Sequence, residues 1–143
     1  MRSVRVLAVD FGEKRIGLAV SDVSGRVVVP VGAVARASDA QAASDVARAA
    51  KDREVERVVV GLPRGLDGRE GPVARRARNF ARRLGDASGL PVDLHGEALT
   101  SVDAERDLRE AGVPRGRRGA ARDAEAAAAL LRDWLSAHPD GGA

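Results

Sequence analysis

The chain has 143 residues, enough for one domain with a substantial core. It contains no cysteine, which excludes disulfides and thiolate metal sites, so any metal must be held by oxygen or by His95 and His138. Net charge is +3, no apolar run approaches the ~20 residues of a membrane span, and no signal-peptide core precedes Asp10, so a soluble cytoplasmic protein is expected.

The first element is Val4 to Val9, an almost unbroken apolar run that suits a strand buried on both faces. It stops at Asp10. After the short polar turn that begins at Phe11-Gly12, a second apolar run from Ile16 to Val20 should pair back as an antiparallel hairpin. Arg26 to Val31 reads as a third strand ending at an edge near Pro30. Ser38 with Gln41 forms a capping-box start for an alanine-rich helix over about 39–52. Val58 to Val60 is a fourth strand. The loop Gly61 to Gly68 follows, and its glycines could bring backbone close to a phosphate. It lacks the Gly-Lys-Ser/Thr ending of a Walker A loop, and a plain strand-to-helix connection fits its composition better.

Pro72 lies near the first turn of a helix expected to bury Val73, Ala77, Phe80, Ala81 and Leu84 and to carry five arginines on much of the rest of its surface. Gly89-Leu90-Pro91 breaks the chain before a short fifth strand, Val92 to His95. Thr100 with Asp103 opens a further helix to about Ala111. Gly112 to Arg122 reads as an arginine-rich loop, and Asp123 to about Ala137 as the last helix. The expected architecture is α/β: a mixed five-stranded sheet, a three-stranded antiparallel meander plus two parallel strands, with helices on both faces. One domain over 1–138 is expected, with a frayed tail at 139–143.

Three acids fall at element ends: Asp10, Glu97 and Asp123. Each also fits a plainer role, a turn residue or salt-bridge partner for Asp10, a solvated loop acid for Glu97 and an N-cap for Asp123. Gathered in one pocket, three carboxylates would repel unless cations neutralised them, and hard divalent ions such as Mg²⁺ or Mn²⁺ are the natural partners of an all-oxygen site. The arginine-dominated positive charge suits phosphate contacts, although a GC-rich genome would give the same bias. Tyrosine is absent and Phe11, Phe80 and Trp134 are the only aromatics. Contact with a nucleic-acid backbone therefore fits better than base stacking.

Taken together, the motifs resemble the YqgF (RuvX-like) family. Asp10-Phe11-Gly12-Glu13-Lys14-Arg15-Ile16-Gly17 is similar to its D-F-G-x-K-R-I-G opening, and Val60-Gly61-Leu62-Pro63 with Asp67-Gly68 to its V-G-L-P-x-x-x-D-G loop. Leu94 to Thr100 aligns with its D-E-R-x-(S/T) segment, and Asp123 with Ala126-Ala127 resembles its D-x-x-A-A helix start. The resemblance implies an RNase H-like fold and a metal-dependent nuclease of the cytoplasm, associated with 5′-end maturation of pre-16S ribosomal RNA and akin to Holliday-junction resolvases. It assigns Asp10, Glu97 and Asp123 to catalysis through bound Mg²⁺ or Mn²⁺, and Lys14 and Arg15 to the scissile phosphate. The arginines Arg115, Arg117, Arg118 and Arg122 would hold the substrate backbone. Where the family has D-E-R, this chain has Gly96-Glu97-Ala98, so the flanking acid and arginine are gone.

Three functions follow as alternatives: processing of structured RNA, resolution of branched DNA, or nucleic-acid binding with weakened catalysis. A four-way junction calls for a two-fold homodimer with two sites. A binding module predicts salt-sensitive association without metal-dependent turnover.

Overall fold

In the computed structural model, residues 4–12, 14–63, 71–97 and 118–139 are described. The central strand is β1 (Val6–Phe11), flanked by β2 (Arg15–Ser21) on one side and β4 (Arg57–Pro63) on the other. β3 (Val28–Ala35) and β5 (Val92–Glu97) form the edges, giving the order β3-β2-β1-β4-β5. β1 and β3 run antiparallel to β2, whereas β1, β4 and β5 are mutually parallel. This is the expected meander plus two parallel strands.

Helices α1 (Asp39–Asp52) and α2 (Pro72–Ser88) cover one face, and α3 (Arg118–Ala137) covers the other. The alternation along β1 divides its side chains between two cores. Leu7, Val9 and Phe11 meet Val46, Phe80 and Leu84 beneath α1 and α2. Val6 and Ala8 meet Leu130, Leu131 and Trp134 beneath α3. The buried Ser21 hydroxyl accepts from the Val6 N–H at 3.0 Å, which closes the wide end of the hairpin.

Several boundaries differ from the sequence reading. β1 includes Asp10 and Phe11, because the hairpin ladder continues through Asp10–Gly17 and Phe11–Ile16. Asp10 is therefore held inside the sheet rather than after it. β3 runs through Pro30 to Ala35 instead of stopping there. An edge strand tolerates the missing donor, and a bulge at Val31, followed by Gly32 at φ 100°, resets the register. β5 extends to Glu97, which pairs with Pro63, so this acid ends the strand rather than following it.

The predicted loop over 112–122 is corrected at its end. Residues 118–122 are the first turn and more of α3, where Ala120 and Ala121 favour helix. Asp123 accordingly sits in the second turn and not at the cap. The predicted helix from Thr100 to Ala111 lies outside the described residues, as do 64–70 of the glycine-rich loop. Ser38 caps α1 as expected, accepting from the Gln41 N–H at 3.1 Å, and Pro72 occupies the first turn of α2. No helix among the described residues is long and apolar enough to cross a membrane.

Candidate active site

Asp10 is the next-to-last residue of β1, and its cross-strand partner is Gly17. Paired residues in an antiparallel ladder project to the same face, their Cβ positions about 4.5–5.5 Å apart. That face is the one under α3, since Val6 and Ala8 pack there. Gly17 is where α3 comes down onto the sheet: a Cβ built at Gly17 would collide with the Asp123 carbonyl oxygen and lie 3.0 Å from the Asp123 Cβ. The missing side chain thus permits the approach, and the helix delivers Asp123 against β2 beside Asp10. Their Cβ atoms are no more than about 8.5 Å apart by these two contacts.

The turn between these strands is held from β3. The Arg36 side chain, 9% exposed, lies with its guanidinium carbon 4.7 Å from the centre of the Phe11 ring. Its Nη1 donates to the Gly12 carbonyl at 3.3 Å and its Nε to Asp39 Oδ1 at 2.8 Å, while the Arg36 N–H donates to the Lys14 carbonyl at 2.9 Å. A cation stacked on an aromatic ring and bonded to the next turn fixes where β1 ends.

Arg15, the first residue of β2, donates from Nε to Asp123 Oδ2 at 2.7 Å. Its side chain is 39% exposed and that of Asp123 20%. A Cβ on Gly119, one helical turn before Asp123, would lie 2.6 Å from Arg15 Nη2 and 2.9 Å from its guanidinium carbon. The guanidinium therefore rests on bare helix backbone. Lys14, beside it, is exposed.

Glu97 is placed by its backbone. Level with Asp10 on β4 is Gly61, one residue beyond the Val9–Val60 pair, and Gly61 pairs with His95 of β5. Glu97 lies two strands across and two residues further along from Asp10, a Cα separation on the order of 12 Å from strand spacing and rise. Among the described residues no group of three or more His, Asp or Glu side chains forms a metal cluster. Asp10 pairs across from Gly17, and the Asp123 backbone packs over the same glycine. Hard oxygen donors from two carboxylates suit a divalent cation, and a cationic group, the Arg15 guanidinium, already sits on one of them.

The other predicted contacts are dispersed. Arg118 and Arg122 fall on the start of α3, where Arg122 is half-buried, and Arg115 and Arg117 lie outside the described residues. Gly96 pairs with Leu62, and Ala98 is outside the described residues. His95 has a structural partner: its Nε2 donates to Asp133 Oδ2 at 2.6 Å, tying β5 to α3. Sequence reasoning missed Gly17, Gly119 and Arg36. For Gly17 a signal existed, because a glycine inside an apolar strand run often marks close backbone approach.

A family model described as "RuvX: Holliday junction resolvase" matches residues 4–137. A relative from Anaeromyxobacter dehalogenans, named "Putative pre-16S rRNA nuclease", is 50% identical over 133 residues, covering 92% of this chain and 96% of that one. The solved structure of Thermus thermophilus RuvC in complex with Holliday junction substrate superposes with a TM-score of 0.56 at 18% identity, covering 96% of this chain and 97% of that one. The Fowlpox virus resolvase, solved with its substrate Holliday junction DNA, superposes with a TM-score of 0.55 at 12% identity, covering 92% and 98%. At those identities the likeness to the two resolvases is one of fold.

Proposed function

This chain belongs to the RuvX family, and from that premise we propose that it is a metal-dependent nuclease that hydrolyses phosphodiester bonds in the 5′-end processing of pre-16S ribosomal RNA. What supports the reading is the placement of Asp10 across from Gly17 and of the Asp123 backbone over that same glycine, in a fold shared with nucleases of branched DNA. Asp10, Asp123 and Glu97 would hold Mg²⁺ or Mn²⁺. When bound, such ions polarise the phosphate and lower the pKa of a water.

The chain's own residues do the rest. Asp10 is fixed by the ladder of a central strand and cannot drift from the sheet. Asp123 is fixed by a helix seated on that sheet, so the two oxygen donors keep their spacing when the substrate arrives. Lys14, exposed at the turn, meets the nucleic-acid backbone, and Arg15 lies where it can reach the same phosphate. Arg115, Arg117, Arg118 and Arg122 add positive charge along the substrate path. Gly96 and Ala98 leave Glu97 without the flanking acid and arginine of related chains. The reaction class stays the same, while charge stabilisation in the transition state is reduced.

The test is Asp10→Asn, assayed on pre-16S ribosomal RNA and on a four-way DNA junction in Mg²⁺ and in Mn²⁺. Cleavage of the RNA should fall to background while the circular dichroism spectrum stays that of the wild type. Wild-type rates in the variant would end the proposal, and preferential cutting of the junction would move the substrate to branched DNA.

A further inference from the structure

The ion pair between Arg15 and Asp123 does more than join β2 to α3. Two carboxylates brought together at Gly17 repel one another unless a cation stands between or beside them. Arg15 supplies that cation from within the chain, at 2.7 Å from Asp123 Oδ2. A second feature accommodates this pairing. The guanidinium lies over Gly119, where any side chain would meet Nη2 at 2.6 Å, Nη1 at 3.2 Å and the carbon between them at 2.9 Å. Residues 119 and 123 are one turn apart and share a helix face, so the bed and the acceptor form one seat.

We infer that Arg15 is a positioning residue that acts as an internal counter-cation. It holds Asp123 in place before metal arrives, and a divalent ion must compete with it for the same carboxylate. This rests on the metal-dependent reading of the site. Once displaced, the 39%-exposed side chain is free to turn outward toward the substrate phosphate. Metal binding and the arming of a phosphate-binding arginine thereby become one event, in which the cation that leaves Asp123 is the one the substrate meets.

The test measures Mn²⁺ affinity by titration calorimetry, with no nucleic acid present. Two variants remove the seat in different ways. Arg15→Ala deletes the competing charge. Gly119→Ala keeps the arginine but fills its bed, and because alanine favours helix and the displaced group is a flexible side-chain end, this variant folds. Both should bind Mn²⁺ roughly three- to tenfold more tightly than the wild type, the size expected for losing a charge-assisted bond that solvent partly screens. Merely structural damage would weaken binding instead.

Unchanged or weaker affinity in either variant overturns the inference, since charge removal alone would move only Arg15→Ala. Asp10→Asn separates the two levels. If it binds Mn²⁺ as tightly as the wild type, or if neither the wild type nor the two seat variants binds the ion at all, the metal-dependent reading fails and the inference with it.

Discussion

Gly17 sets the distance between the sheet and α3. Every other residue type would push the Asp123 backbone outward, because the added Cβ meets a carbonyl oxygen and not a flexible side-chain end. Gly17→Ala should therefore destabilise the fold by roughly 1–3 kcal/mol, the range for overpacking a close contact, as measured by urea denaturation. Its cleavage rate should fall further than its stability, since Asp123 moves relative to Asp10. A variant as stable as the wild type would mean that the helix does not approach so closely. The motif that contains Gly17 is visible in the sequence, yet nothing in the sequence says what Gly17 touches. The same holds for Arg36: a lone arginine after a strand gives no sign that it will stack on Phe11 and bond the Gly12 carbonyl.

Among the elements, the β2–β3 hairpin shows how a turn is written locally. Asp22 accepts from the Ser24 hydroxyl at 2.7 Å and from the N–H groups of Arg26 and Val27 at 3.0 and 3.1 Å. The Ser24 hydroxyl first, then the Val27 and Arg26 N–H groups, hold the Asp22 carboxyl below its ordinary value. A carboxyl lowered in the folded state stabilises above its unfolded pKa of about 3.9 and loses that contribution as pH falls through the lower folded value. The stability gap between the wild type and Asp22→Asn should thus be constant near neutrality and close below about pH 4, in denaturation curves recorded across the acid range. A gap independent of pH would mean that the charge plays no part in the turn. Helix α1 was legible to the residue, because Ser38 and the alanine-rich run signal its start and face locally. The start of α3 was not, since Gly112 to Arg122 looks like loop until the helix has a sheet to pack on.

At the scale of the molecule, one face of the sheet depends on α3 among the described residues, and α3 depends on Trp134. That side chain is 1% exposed, and His138 stacks on its ring at 4.4 Å while donating from Nδ1 to the Trp134 carbonyl at 2.9 Å. Trp134→Ala should cost about 3–5 kcal/mol by chemical denaturation. It should also lower cleavage in those molecules that remain folded, because Asp123 rides on the same helix. Loss of stability with full activity in the folded fraction would show that the far end of α3 does not position the site.

The meander, the mixed sheet and the helix-covered faces followed from apolar runs, turn residues and a family motif, all of them local or carried by short stretches of chain. Those signals work because strand burial and helix amphipathicity are imposed residue by residue. What only tertiary structure decided is which groups meet. Arg15 and Asp123 stand 108 positions apart, and their bond exists because Gly17 lets the Asp123 backbone close on β2 while Gly119 leaves room for the Arg15 guanidinium. No periodicity encodes that contact, since it depends on two absent side chains, one beneath the Asp123 backbone and one beneath the Arg15 guanidinium, on elements far apart in the sequence.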